Sequence, residues 1–132
     1  MPQMYLRSGE NLRSLEIADL ADIRTILVAT DFSPPSTGAL IYALGIAGRY
    51  QARVHVLHCF DLTPYMLTPD ALQPAYEAVQ RDMDRLRADL ESKHLTNEVD
   101  CEVRVERGDP GDILRRIVRD LDPGVIVVGT HG

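Results

Sequence analysis

The residues best suited to chemistry follow two short apolar runs near opposite ends of the sequence. Thr30 and Asp31 leave the first run, and the last run is followed by Gly129, Thr130, His131 and Gly132. The Asp31 carboxylate can accept hydrogen bonds from a ribose or an adenine base. The two glycines would let backbone N–H groups approach a phosphate. These segments predict a nucleotide site, although the same residues also suit a helix cap and an ordinary turn.

Four strands alternating with three helices would position these segments. Apolar segments predict strands at 25–29, 53–58 and 125–128. Alternating apolar and charged residues predict a half-exposed strand at 99–105, at an edge of the sheet. Helical spacing of apolar residues predicts helices over 34–49, 72–90 and 110–121, the first and third capped by Ser33 and Asp109 before proline. The alternation predicts an α/β fold with a doubly wound parallel sheet in strand order 3-2-1-4. Ligands of such sheets bind where the winding reverses, here between the first and fourth strands.

The domain organisation follows from the same pattern. Residues 1–22 are predicted to form an irregular N-terminal arm, with a short helix over 15–22 as its one regular segment. Residues 23–132 are predicted to form a single domain. The stretch from 61 to 74 contains prolines without apolar periodicity and is interpreted as a loop.

Composition and charge exclude several classes of protein. The net charge of −6 and the pI of about 5.1 disfavour a nucleic-acid partner, which requires a basic surface. No apolar stretch approaches the ~20 residues of a membrane span, and the N-terminus lacks the apolar core of a secretory signal. With Cys59 and Cys101 as the only cysteines, a reduced, cytoplasmic protein without a membrane partner is expected.

The remaining reactive residues favour structural roles. His55 and His58 lie three apart in a predicted strand, so their side chains should point to opposite faces and no shared metal site is expected. A disulfide between Cys59 and Cys101 is geometrically conceivable but disfavoured in a reducing compartment. Arg115, Arg116 and Arg119 of the third helix are interpreted as part of a solvent-exposed face rather than as a phosphate site. No nucleophile elbow occurs, and no catalytic residue is predicted.

Four motifs together carry a resemblance to a known family. They are ILVATDFS (26–33), HVLHC (55–59), GDP (108–110) and VVGTHG (127–132). In this order and spacing the chain resembles the universal stress protein domain over residues 23–132. The resemblance implies a Rossmann-like fold of the adenine nucleotide alpha hydrolase type.

The resemblance also implies a ligand and its contacts. In ATP-binding members the aspartate after the first strand contacts the adenosine, a role that falls on Asp31, with Ala29 and Thr30 beside it. Cys59 would line the adenine pocket. Gly129 and Gly132 would approach the phosphates, with Thr130 and His131 between them. ATP or a related adenine nucleotide, accompanied by Mg²⁺, is the implied cofactor.

The chain also departs from the family pattern. The family's fingerprint continues to a Gly-Ser or Gly-Thr pair that opens a last helix, followed by a fifth strand, and neither occurs here. The chain is therefore expected to be truncated at its C-terminus, with a weakened or absent nucleotide site. The strand at 125–128 would become an apolar edge, so a homodimer or a partner covering that strand is expected.

Three functional hypotheses remain open from the sequence. The first is a stress-response regulatory protein that binds an adenine nucleotide and hydrolyses it weakly at most. The alternative is a scaffold of the same fold that binds no nucleotide and acts through dimerisation or partner contact. An enzyme acting on a small phosphate or acyl substrate is the least supported.

Overall fold

The computed structural model describes residues 3–8, 11–14, 23–61 and 69–128. Within these residues the chain forms six strands and three helices, with a 3-10 turn at Pro69–Ala71 before the second helix. The strands are β1 Gln3–Ser8, β2 Asn11–Ser14, β3 Thr25–Ala29, β4 Arg53–Phe60, β5 Cys101–Arg107 and β6 Val125–Val128. The helices are α1 Pro34–Tyr50, α2 Leu72–Ser92 and α3 Pro110–Leu121. No helix in these ranges combines the length and apolar character needed to cross a bilayer.

All strands join one sheet in the order β2-β1-β6-β3-β4-β5. The four strands β6, β3, β4 and β5 are parallel, so the predicted order 3-2-1-4 is confirmed as β5-β4-β3-β6. The switch in winding direction lies between β3 and β6, where Ala29 is opposite Val128. The predicted half-exposed edge strand is β5, which pairs only with β4 among the described strands.

The N-terminal segment differs from its prediction. Instead of an irregular arm, β1 and β2 form an antiparallel hairpin in which Ser8 is opposite Asn11. Strand β1 then pairs antiparallel with β6, from Gln3 opposite Val128 to Leu6 opposite Val125. The unpaired backbone groups of an apolar edge strand explain this pairing, because the strand requires hydrogen-bond partners. The predicted helix over 15–22 lies outside the described residues.

This pairing corrects one expectation and leaves another open. The prediction that the strand at 125–128 is an exposed edge is wrong, because β1 of the same chain occupies that edge. A partner covering this strand is therefore not required by its backbone. The homodimer stays a prediction.

The inner residues of β3, β4 and β6 are buried on both faces, as continuous apolar runs indicate, whereas β5 is only partly buried. On one face α1 and α2 pack against the sheet through a cluster that includes Ile26, Val28, Leu40, Leu44 and Leu86. On the other face α3 packs through a smaller cluster of Leu27, Leu57, Ile113, Ile117 and Ile126. Successive residues of β3 thus alternate between the two cores.

Both predicted helix caps are confirmed. The Ser33 side chain accepts a hydrogen bond from the Ser36 backbone N–H, and the Asp109 side chain accepts one from Asp112. A proline follows each cap, where its missing N–H costs nothing. The cap of α1 thereby holds its first turn beside the C-terminal end of β3.

Candidate functional site

The candidate site is built around Asp31, which follows β3 at the point where the sheet reverses its winding. Its Oδ1 atom accepts two hydrogen bonds, from the Ser33 backbone N–H at 2.9 Å and from the Ser36 hydroxyl at 2.7 Å. Both of these bonds end on Oδ1. The residue is exposed, so its carboxylate is accessible to a ligand.

Ser36 is the centre of the polar contacts around Asp31. Its side chain is buried, and its Oγ lies 3.1 Å from Thr30 Oγ1 and 3.3 Å from the Asp31 backbone N–H. Because the Ser36 hydroxyl has one proton and donates it to Asp31, it accepts from these two groups. Thr30, Asp31, Ser33 and Ser36 form what we call the Asp31 network. The sequence analysis missed Ser36, although the Ser-x-x-Ser spacing at a helix start was its visible signal.

The Asp31 network keeps the carboxylate charged. Hydrogen bonds from the Ser33 and Ser36 side chains, with help from the Ser33 backbone, lower the pKa of Asp31 from 3.8 to about 2. Partial burial acts in the opposite direction but is outweighed. Asp31 is therefore an ionised acceptor whose orientation is set before any ligand arrives.

Phe32 turns the chain sharply after Asp31. Its φ of 65° lies in the left-handed region, which a bulky residue rarely adopts. Two contacts stabilise this conformation: the Phe32 backbone N–H donates to Thr30 Oγ1 at 3.1 Å, and its ring lies 4.5 Å from the His58 ring, centroid to centroid. A strained conformation of this kind needs support from its surroundings, and here the support comes from β3 and β4.

His58 connects the two strands at this edge. Its Nδ1 lies 2.8 Å from the Thr30 carbonyl oxygen. Since a carbonyl can only accept, Nδ1 carries a proton and donates it in this contact. His58 thus positions the Thr30 backbone from which the candidate site begins.

The other predicted residues divide into those that the structure locates and those that it does not. Thr30 uses its hydroxyl, backbone N–H and carbonyl inside the protein, so it supports the site rather than facing it. Ala29 is the last residue of β3, opposite Leu57 of β4. Cys59 lies two residues beyond Leu57 and packs against the cluster under α3. No hydrogen bond joins Cys59 to the Asp31 network.

The phosphate half of the predicted site is not located. Gly129, Thr130, His131 and Gly132 lie outside the described residues. Their strand, β6, is hydrogen bonded to β3 up to the pair Ala29 and Val128. The two parallel strands therefore end side by side at the same edge of the sheet.

The histidine and cysteine pairs are separated by the sheet. His58 faces α1 and α2 with Phe32, whereas His55 alternates to the opposite face, where its Nδ1 lies 3.6 Å from Glu102 Oε2. Burial lowers the pKa of His55, which favours the neutral ring. Cys101 is opposite Val54 and Cys59 is opposite Glu106, so the thiols lie far apart along the strands and cannot form the conceivable intrachain disulfide.

A groove of about 1160 Å³ runs along α3, away from Asp31. Leu114, Val118 and Ile126 supply its apolar part. Two of the three helix arginines there are already paired: Arg115 with Asp112 at 2.6 Å and Arg116 with Glu106 at 3.0 Å. These pairs favour the solvated-face interpretation of the arginines over a phosphate site.

Comparison with solved structures gives this fold a context. A protein of the universal stress protein family from Burkholderia pseudomallei is 29% identical, with a TM-score of 0.65 and 83% of each chain covered. Universal stress protein UspA from Lactobacillus plantarum is 21% identical, with a TM-score of 0.54 and coverage of 83% of this chain and 81% of that one. A universal stress protein in complex with cAMP is 22% identical, with a TM-score of 0.50 and coverage of 76% of this chain and 68% of that one.

Sequence comparison agrees with the structural one. No curated protein sequence matches the chain significantly. The family model for universal stress proteins, however, matches residues 22–132, which includes every predicted site residue. The chain therefore belongs to the universal stress protein family.

Proposed function

We propose that this chain is a regulatory protein that binds an adenine nucleotide, such as ATP, at the edge where β3 and β6 end. Asp31 would accept hydrogen bonds from the adenosine, with Ala29 and Thr30 forming the adjoining backbone and Cys59 on the adenine side. Gly129 and Gly132, with Thr130 and His131 between them, would supply backbone N–H groups to the phosphates, and Mg²⁺ would accompany ATP. A cytoplasmic location is part of the proposal.

The observation that carries the proposal is the preorganised Asp31 carboxylate. It is exposed, its pKa is lowered to about 2, and hydrogen bonds from the Ser33 backbone N–H and the Ser36 hydroxyl fix its Oδ1 atom. An acceptor already ionised and oriented need not be reorganised on binding. Its place at the winding switch of a parallel sheet is where such folds bind ligands. A similar fold solved in complex with cAMP is consistent with an adenine-containing ligand.

Isothermal titration calorimetry of the chain with ATP, ADP and cAMP tests the proposal. Asp31→Asn keeps the side-chain shape but removes the charge, so the Kd should rise by at least about tenfold, as expected for a lost hydrogen bond to a charged group. Asp120→Asn, an exposed carboxylate on α3, is the matched control and should bind as the wild type does. A folded wild type that gives no heat with millimolar nucleotide would overturn the proposal.

The alternative function is a scaffold of the same fold that acts through dimerisation or partner contact. It predicts equal behaviour of wild type and Asp31→Asn in every nucleotide titration. Catalysis beyond weak ATP hydrolysis is not part of either proposal. A phosphate-release assay with ATP addresses it: rapid turnover that Asp31→Asn abolishes would favour an enzyme instead.

A further inference from the structure

His55 of β4 has a buried nitrogen atom that makes no hydrogen bond. The residue is 8% exposed, and its Nδ1 atom lies inside the protein without a hydrogen-bond partner. Among the described residues, this is the only buried side-chain nitrogen or oxygen in that state. Burying a polar atom without a hydrogen bond costs free energy, and most buried polar atoms are paired. The position of His55 therefore requires an explanation.

The surroundings of His55 are apolar except for one nearby carboxylate. In the sheet, His55 is opposite Leu27 of β3 and opposite Glu102 of β5. The Glu102 Oε2 atom lies 3.6 Å from Nδ1, which is just too far for a hydrogen bond. Helix α3 packs on this face of the sheet through apolar residues. The other charged groups that act on the His55 ring lie on β4, on β5 and directly before β5, and they are Arg53, Arg104 and Asp100.

Glu102 belongs to a row of charged side chains along β5. Glu102, Arg104 and Glu106 are two residues apart, so they project from the same face of the strand. Arg104 lies 3.2 Å from Glu102 Oε1 and 4.0 Å from Glu106 Oε1. The other oxygen of Glu106 accepts a hydrogen bond from Arg116 of α3 at 3.0 Å. These four residues and His55 form what we call the His55 network.

The exposure of these side chains differs in a way that allows movement at one end. Arg104 is 34% exposed and Glu106 is 29% exposed, so solvent screens their interactions less than it screens those of fully exposed pairs. Glu102 is 55% exposed, so its side chain has room to turn towards either neighbour. Its carboxylate also places a solvent-accessible group next to the buried Nδ1 atom of His55.

We propose that the His55 network is a proton-operated switch, in which charging of the His55 ring transfers Glu102 from Arg104 to His55 and thereby frees Arg116 of α3. A charged imidazole carries a proton on both nitrogens, so Nδ1 becomes a donor aimed at Glu102. Shortening the present 3.6 Å separation by about 0.8 Å gives a charge-assisted hydrogen bond. The buried atom that is unpaired in the neutral ring then has a partner.

The later steps follow because the members of the network share partners. Once Glu102 has turned towards His55, the carboxylate that remains beside Arg104 is that of Glu106. Glu106 is then shared between Arg104 and Arg116, which weakens its bond to Arg116. Among the described ion pairs, this is the one that joins β5 to α3. Glu106 and Arg116 both line the groove along α3, so the switch changes the charge available in that groove.

The energetic balance at His55 sets the pH range of the switch. Burial lowers the pKa of His55, and the nearby positive charge of Arg104 acts in the same direction. The Glu102 carboxylate acts in the opposite direction and is outweighed. The ring is therefore neutral near pH 7 and becomes charged at pH values below its ordinary pKa of 6.5.

An NMR titration of the full chain between about pH 5 and pH 8 tests the proposal. The imidazole signals of His55 and the Nε–H signal of Arg116 should shift with the same midpoint, because the release of Arg116 depends on charging of His55. In His55→Gln the Arg116 signal should no longer shift in this range. An Arg116 signal that does not follow the His55 titration in the wild type would overturn the proposal.

Glu102→Gln tests the first step at an exposed residue, where folding is not at risk. It removes the carboxylate that favours the charged ring, so the pKa of His55 should fall further and the shift of Arg116 should be lost. Glu91→Gln makes the same change at an exposed position of α2, on the other face of the sheet, and should leave both signals as in the wild type. Equal behaviour of the two variants would contradict the transfer of Glu102.

Arg104→Gln separates the network from a purely local effect of charge on His55. Loss of the neighbouring positive charge should raise the pKa of His55, opposite to the effect of Glu102→Gln. The shift of Arg116 should nevertheless be lost, because Arg104 connects Glu102 to Glu106. An Arg116 signal that still follows the titration of His55 in Arg104→Gln would overturn the proposed sequence of steps. None of these measurements depends on nucleotide binding.

Discussion

Asp31 shows how a few hydroxyl groups set the charge of an exposed side chain. The Ser36 hydroxyl donates to it at 2.7 Å, and the Thr30 hydroxyl lies 3.1 Å from the Ser36 oxygen. Hydrogen bonds to the charged form favour that form, so the pKa of Asp31 falls although burial would raise it. These hydroxyl groups therefore determine that Asp31 is an anion, and not a neutral acid, at this edge of the sheet.

Removing the Ser36 hydroxyl should therefore reverse part of this effect. In Ser36→Ala the pKa of Asp31 should rise from about 2 towards 3.8, because one of its donors is lost. An NMR titration of the Asp31 carboxyl carbon measures the change. Ser92→Ala, which removes a hydroxyl bonded to the Asp89 carbonyl oxygen on α2, is the control and should leave the pKa of Asp31 unchanged. An unchanged pKa in Ser36→Ala would contradict the assigned contact.

The same carboxylate should make stability depend on acid pH. Its pKa is lower in the folded chain than the ordinary 3.8, so its contribution is present above pH 3.8 and is lost as the pH falls towards about 2. Asp31→Asn lacks this contribution. Urea unfolding at a series of acid pH values should show a smaller loss of stability for Asp31→Asn than for wild type. Parallel pH profiles would disprove the linkage.

At the scale of elements, the end of α1 departs from the usual helix stop. Gln51 adopts a left-handed conformation with φ of 58°, and its backbone N–H donates to the Ala47 carbonyl oxygen. Glycine normally occupies this position, because any side chain makes the left-handed region costly. The helix is held in place by its buried inner side, which offsets this local cost.

Gln51→Gly should consequently stabilise the chain by about 1 kcal/mol. Gln51 is exposed, so the substitution removes little packing. The free energy of unfolding from urea titration is the measurement. Gln73→Gly makes the same change at an exposed position within α2 and serves as the control. It should lower the free energy of unfolding by roughly 0.5–1 kcal/mol, because glycine is a poor helix former. A loss of stability in Gln51→Gly would show that the glutamine side chain has a role beyond the turn.

The whole molecule depends on a contact between its two sequence ends. The N-terminal hairpin pairs with β6, a strand of four apolar residues that lies next to β3. Without β1, the backbone groups on the outer side of β6 would face solvent and form a template for other strands. The hairpin therefore shields the sheet on the side of the candidate site.

A chain lacking residues 1–14 should aggregate and unfold at a lower temperature than the full chain. The reason is the exposed edge of β6, whose residues Val125 to Val127 are buried in the intact fold. Light scattering during a thermal ramp measures both effects. A chain lacking only residues 1 and 2 keeps both hairpin strands and serves as the control. If the shorter chain stays clear and equally stable, the hairpin has no protective role.

Much of the fold could be predicted from local patterns. The runs at 25–29 and 125–128 predicted β3 and β6 with their observed ends, and Ser33 and Asp109 predicted both helix caps. Each of these features depends on side-chain periodicity or on hydrogen bonds within one turn, which a short window of residues contains. The choice of Asp31 as a candidate site residue followed from the same reasoning, combined with the rule for parallel sheets, and it stays a prediction.

Contacts between distant segments were decided only in the folded chain. The hairpin was missed because its partner, β6, is separated from it by most of the sequence, although the Gly9-Glu10 pair between β1 and β2 is a weak turn signal. The support of Phe32 by His58 likewise joins two strands. Such pairings depend on which backbone groups still lack hydrogen-bond partners, and which apolar surfaces are still exposed, once the parallel strands have paired. A short window of sequence does not contain this information.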